Sequence, residues 1–182
     1  MITNFLTEGD PPKPLWIDAA SPSRKDLNAL GKTYGLHPAL VKDCLEPDHL
    51  PKLEVHGSTT FLIVRYYDSQ ADLSHDSVQA LTRKLALFLG ERFLISVHRR
   101  AEPFLDVVRE KHAANCEGIF LQVVLMEILL AAVETYHAPL EEMEAKIHLA
   151  ETAILKGESG AGRWEEVFRI KCRLMTIKRL LW

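Results

Sequence analysis

The sequence predicts an α/β fold: an α/β/α sandwich on a mixed, partly antiparallel sheet, followed by long C-terminal helices. Two observations lead there. Up to His98, runs rich in β-branched and aromatic residues alternate with amphipathic stretches that open at Ser-Pro or His-Pro and stop at Gly or Pro. Beyond Pro103 the strand pattern disappears, and apolar residues recur at spacings of three and four. The predicted organisation is an α/β sandwich domain over 1–117 and a long helical hairpin over 118–182.

Leu15-Trp16-Ile17-Asp18 is a short apolar run after a proline-rich start and reads as a strand. Ser21-Pro22 then opens a helix carrying Leu27, Leu30 and Tyr34, with Gly35 at its C′ position. His37-Pro38 starts a second, short helix with Leu40, Val41, Cys44 and Leu45, which Pro47 and Pro51 stop. Lys52 to Tyr67, with Gly57-Ser58 in the middle, reads as a hairpin. A second strand pair, Val78 to Phe88 and Phe93 to His98, is joined at Leu89-Gly90-Glu91-Arg92, where the glycine is expected to supply a positive φ.

Phe104, Val107, Val108 and Lys111 begin the helical part, and Gly118 leads into a periodic stretch that reaches Leu155. Pro139 lies inside that stretch and is expected to kink or split it, because a mid-helix proline costs about 3 kcal/mol. Lys156 to Gly162 is a flexible turn, after which a helix runs from Arg163 to Trp182. On it Val167, Ile170, Leu174, Ile177 and Leu181 form a heptad stripe that packs along a partner. Arg169, Lys171, Arg173, Lys178 and Arg179 make this helix basic, while Glu127, Glu134, Glu141, Glu144 and Glu151 form an acidic row on the preceding stretch. The two halves are expected to form a complementary antiparallel hairpin, its charges either solvated faces or a surface for cations or a basic partner. Trp164 and Trp182 are expected to pack. The stripe is still in phase at Leu181-Trp182, which predicts a boundary inside a longer helical region.

With 47% hydrophobic and 26% charged residues, the 182-residue chain can bury one sizeable core. Its 22 basic and 25 acidic side chains are too balanced for a nucleic-acid surface. Cys44, Cys116 and Cys172 are odd in number and far apart, so neither a disulfide framework nor a thiolate zinc site is implied, and a reducing compartment is expected. The apolar run Ile119 to Val133 is interrupted by Gln122 and Glu127 and falls short of the about 20 apolar residues a bilayer needs. Met1 to Pro14 does not read as a signal peptide.

Eight histidines invite a metal reading, yet His137 and His148 stand three turns apart, and His37 and His98 read as turn or interface residues. Asp18, Asp43, Asp48, His49 and His98 could be gathered into one cleft, but no nucleophile elbow or phosphate loop accompanies them, and no enzyme is predicted.

Trp16-Ile17-Asp18 with Pro22, then the run from Gly35-Leu36-His37-Pro38 to Asp43-Cys44-Leu45, and Leu50-Pro51-Lys52-Leu53-Glu54 match a known series in order and spacing. Phe61 to Val64, Leu87 to His98 and the Leu174 to Trp182 ending continue it, so almost the whole chain from Leu15 resembles the N-terminal cytosolic domain of the CorA family of divalent-cation transporters. The resemblance implies a homopentamer at the cytosolic face of the inner membrane, with a stalk helix and two transmembrane helices. The Gly-Met-Asn pore signature would lie beyond Trp182. It further implies magnesium bound between neighbouring protomers, holding the pore closed, with Asp43 as the matching metal ligand. Lys42 replaces the usual preceding glutamate, Leu50 replaces the arginine of Arg-Pro-Lys, and an ammonium at Lys42 is expected to pair with Asp43. A zinc transporter of the ZntB type shares the implied architecture. Outside that superfamily the alternative is a stand-alone α/β interaction module.

Overall fold

The computed structural model describes residues 2–4, 15–71, 75–113, 120–157 and 160–181. Six strands form one sheet: β1 (Ile2–Asn4), β2 (Leu15–Ala20), β3 (Lys52–His56), β4 (Thr59–Tyr67), β5 (Thr82–Leu89) and β6 (Phe93–His98), in the order β1-β2-β6-β5-β4-β3. β2 and β6 run parallel, from Leu15 opposite Phe93 to Ala20 opposite His98, whereas β1–β2, β3–β4 and β5–β6 are antiparallel. The sheet is therefore mixed, as expected. β1 is an addition: three residues carry no readable alternation, and the strand forms by pairing with β2.

Helix α1 (Arg24–Thr33) starts one residue later than Ser21-Pro22 suggested, at the N-cap Ser23, whose side chain and that of Asp26 form a capping box. Gly35 is the left-handed C′ residue, at φ 63°, and the bond from Leu36 N–H to the Gly31 carbonyl, 2.9 Å, closes the helix in the Schellman manner. In α2 (Pro38–Leu45) His37 is the N-cap, its Nδ1 accepting from Ala39 N–H at 3.3 Å. The expected strand from Val78 is corrected, since Val78–Leu81 is a one-turn helix, α3, capped by Ser77, and β5 begins at Thr82. Gly90 is also corrected: it does not take a positive φ. A Cβ there would lie 2.4 Å from the Phe93 ring, so the glycine is needed for close approach.

The chain divides into two compact units, 1–65 with 84–132, and 66–83 with 133–182. The expected boundary between 117 and 118 falls outside the described residues. In the first unit, alternate strand residues Leu15, Ile17, Ala19, Phe61, Ile63, Ala86, Phe88, Ile95 and Val97 form a core with Leu27, Leu30, Leu40, Val41 and Cys44 of α1 and α2. The residues between them, including Trp16, Leu85, Leu87 and Leu94, point to the other face and are equally buried. α4 (Pro103–Ala113) and α5 (Leu121–Glu134) contribute Leu105, Val108, Val124 and Ile128 to the buried set.

In the second unit α6 (His137–Leu155) and α7 (Ala161–Leu181) pack through Tyr136, Met143, Ile170 and Ile177, with Leu140, Ile147 and Leu174 beside them. Pro139 does split the long stretch. The break is at Thr135-Tyr136, and Pro139 occupies the first turn of α6, where a missing N–H costs little. Two expectations for α7 are corrected: Leu180 is buried and Leu181 is 46% exposed, and Trp164 is 56% exposed rather than packed. A helix winding at 3.6 residues per turn drifts off a strict heptad, which carries the stripe onto Leu180. Trp182 lies outside the described residues.

The run Leu121–Leu155 is long and apolar enough to cross a membrane by length and composition, contrary to the expectation from its interruptions. Within its first part Val124 and Ile128 are fully buried and Glu127 is ion-paired to α4, which is the pattern of a core helix.

Candidate functional site

The last carbonyls of a helix have no intrahelical donors and carry its negative dipole end. At the end of α2 two cations take them. Lys84 Nζ donates to the carbonyls of Asp43 at 2.7 Å, Cys44 at 2.9 Å and Glu46, and Arg99 donates to Leu45 at 3.0 Å. Arg65, buried on β4, binds the chain that follows, with Nε 3.0 Å from the His49 carbonyl and a further bond to Pro47. Burial pushes the Lys84 ammonium down to about 8 and the Cys44 thiol up to about 12, so the thiol is neutral and unreactive.

With the carbonyls facing inward, the side chains of the same segment face out. Asp43 Oδ2 accepts from Lys52 Nζ at 2.5 Å, and its Oδ1 lies 3.3 Å from His49 Nε2. Glu46 Oε2 lies 4.0 Å from the same nitrogen. Lys42 does not take the role expected of it: its ammonium is 3.6 Å from Glu46, one turn along the helix, and Lys52 from β3 is the cation on Asp43. Burial raises the Asp43 pKa, but the Lys52 hydrogen bond and charge, helped by His49, outweigh it and hold the carboxyl below its ordinary range. Asp43, Glu46 and His49 each offer one ligand atom, all within 4.8 Å of one another.

A second polar group is internal to the sheet. Asp18 and Ser96 are register partners on β2 and β6, and His98 lies two residues on, on the same face. Trp16 Nε1 donates to Ser96 Oγ at 3.0 Å, Ser96 donates to Asp18 at 2.5 Å, and His98 Nε2 sits 2.9 and 3.0 Å from the two Asp18 oxygens. His98 Nδ1 faces the Arg100 carbonyl, so both ring nitrogens meet acceptors and the ring is held as imidazolium. Burial opposes that charge; the Asp18 hydrogen bond and carboxylate outweigh it and raise the His98 pKa. All four side chains are buried, so this is a structural ion pair with no path for a substrate.

Of the five residues that could have shared a cleft, Asp18 and His98 thus form one group, Asp43 and His49 another, and Asp48 is exposed. The expected acidic row also disperses. Glu127 pairs with Lys111 at 2.6 Å and His112 at 2.8 Å of α4, and Arg173 of α7 pairs with Asp76 at 2.7 Å.

The family model for "CorA-like Mg2+ transporter protein" matches residues 13–182. This chain belongs to that family. The cobalt/magnesium transport protein CorA of Thermotoga maritima is 21% identical over 186 residues, covering 100% of this chain and 51% of the relative. The chain thus spans about half the length of that curated CorA relative. Among solved structures, the soluble domain of CorA from Methanocaldococcus jannaschii superposes with a TM-score of 0.71 at 15% identity, covering 100% of this chain and 74% of that one. The ZntB cytoplasmic domain from Vibrio parahaemolyticus gives 0.66 at 16% identity, covering 92% and 64%. At these identities the structural likeness is one of fold, and it is the CorA soluble-domain fold that the mixed sheet and long helices reproduce.

Sequence reasoning singled out Asp43 but missed Glu46 and His49 beside it in this CorA-family chain, and missed the cations beneath. A signal existed for each: Asp43, Glu46 and His49 are spaced by three, and Lys84 interrupts an otherwise buried strand.

Proposed function

We propose that this chain is the cytosolic domain of a CorA-like divalent-cation transporter for magnesium, cobalt or nickel, in which cations held between protomers set the state of a pore lying outside this chain. The observation that carries the reading is a family match over 13–182 in a chain half as long as its CorA relative. The remaining half would supply the stalk and pore helices, at the inner membrane, with the helices of 118–182 leading toward them. Asp43 is the proposed cation ligand, being ionised and at the outer face of α2. A homo-oligomer, pentameric in the whole protein, is supported by Phe120, Val123, Met126 and Leu130, which leave one side of α5 apolar and exposed.

By mass action, a dication bridging carboxylates of two protomers stabilises the closed ring, and its loss restores repulsion between acidic faces. Sedimentation velocity tests this. With about 10 mM magnesium, enough to fill a weak carboxylate site, the chain should assemble, and Asp43→Ala should abolish the effect. A species unchanged by magnesium in the parent chain would remove Asp43 from the regulatory role.

One observation favours a second reading. The ZntB domain is nearly as close in fold as the CorA domain, 0.66 against 0.71, so a zinc transporter of that type fits the same architecture.

A further inference from the structure

We infer that Asp43, Glu46 and His49 form a site, complete within a single chain, for a borderline transition-metal dication such as zinc, cobalt or nickel, in preference to magnesium. The inference rests on the reading above only in taking Asp43 as a cation ligand. Its ligand set and its metal class are different.

Three features carry it. The first is convergence. His49 Nε2 and Asp43 Oδ1 are 3.3 Å apart, and ligands on a tetrahedral zinc with bonds of about 2.0–2.1 Å are separated by about 3.3 Å. Glu46 Oε2 is 4.0 Å from the same nitrogen on a half-exposed side chain, so a rotamer adjustment closes the remaining distance. Asp43 and Glu46 are one turn apart at the end of α2, and the bend at Pro47 returns His49 to their side.

The second is a scaffold built from the opposite side. Lys84 and Arg65 bind the carbonyls of Asp43, Glu46, Pro47 and His49, which fixes the backbone that presents the three ligands. Those cations are turned to peptide oxygens, and Lys52 takes Asp43 Oδ2, so Oδ1 is left directed at the imidazole. A metal at this point completes its shell with water from the exposed side.

The third is the imidazole itself. Magnesium demands an octahedron of hard oxygen ligands and dehydrates reluctantly, while a neutral imidazole nitrogen with two carboxylates is a donor set for zinc, cobalt or nickel. Among the described residues this is the one group of three histidine, cysteine or carboxylate side chains so arranged.

The test is calorimetric titration of the whole chain with zinc chloride, and separately with magnesium chloride, alongside His49→Ala and Glu46→Gln. One zinc per chain is expected. Each variant should weaken it by at least about tenfold, since even outer partners of a metal site are worth that much. Cobalt chloride should give the intense visible absorption of a four-coordinate ion, absent from His49→Ala. Thermal unfolding without metal verifies that both variants fold, and Glu46, half-exposed, is the safer of the two. Zinc binding equal in parent and variants, or a cobalt spectrum of the six-coordinate aqua ion, would overturn the site. The two readings separate cleanly. Magnesium-driven assembly that persists with no zinc bound sinks the triad alone, and zinc bound through His49 without any magnesium-driven assembly sinks the interprotomer reading alone.

Discussion

Lys84 offers the sharpest perturbation of the scaffold. Lys84→Met keeps most of the aliphatic stem and deletes the ammonium that serves the carbonyls of Asp43, Cys44 and Glu46. A buried acceptor left unsatisfied costs about 1–3 kcal/mol. Water reaches part of this helix end, so the three together are expected to cost about 2–3 kcal/mol at pH 7. The pH dependence is the more specific signature. Burial lowers the Lys84 pKa from 10.5 to about 8, which corresponds to about 3 kcal/mol of charge desolvation. Between those pH values the unfolded chain holds a proton that the folded chain has released, so parental stability rises with pH. The variant lacks that contribution, and its deficit should widen to about 5 kcal/mol near pH 10.5. Urea unfolding of both proteins from pH 7 to 10.5 measures the difference, in which other titrating groups cancel. A deficit that stays flat across that range would refute the desolvated ammonium, and a variant as stable as the parent at pH 7 would refute the capping.

The His98–Asp18 pair gives a second pH signature of opposite sense. The His98 pKa is raised above 6.5, so the pair contributes fully below pH 6.5 and its contribution is lost as pH rises through the folded value. Asp18→Asn should cost about 3–5 kcal/mol at pH 6 and bring the His98 NMR titration below 6.5, because burial then acts alone; an unmoved titration would show that Asp18 is not the cause. At the β5–β6 turn, Gly90→Ala should destabilise by about 1–3 kcal/mol, since the new Cβ displaces the Phe93 ring from its 5.0 Å contact with Tyr34. A neutral result in urea unfolding would mean that the ring swings away without loss.

How much of this was legible follows from the range of the forces involved. Gly35, the His37-Pro38 start and the Lys52–Tyr67 hairpin were readable because caps and turns are decided within a few residues. Val78–Leu81 was misread for the same reason in reverse: its apolar residues continue those of β5 without a break, and one serine cap is a weak signal against that run. Trp164 and Leu181 were misplaced because a stripe of apolar residues tells that a face exists, not where a neighbour ends. The network of Trp16, Ser96, Asp18 and His98 joins positions about 80 residues apart, and no local pattern announces it.

The Asp43 corner shows why sequence alone also mistook the partner of its carboxylate. Adjacent residues on a helix point about 100° apart, so Lys42 reaches Glu46 one turn on and cannot readily face Asp43. The cation that does reach Asp43 comes from β3, and those that hold its backbone come from β4, β5 and the residue after β6. Four basic side chains, from separate places in the sequence, are thus arranged around one helix end so that three meet carbonyls and one meets a carboxylate. That division sets the electrostatics of the site: the peptide dipole is neutralised from the sheet side, while Glu46 and one oxygen of Asp43 remain directed at His49. Removing a cation from beneath would loosen the presentation of these ligands, whereas removing one of the ligands would leave the fold standing, which is why Lys84 and His49 test different levels of the same structure.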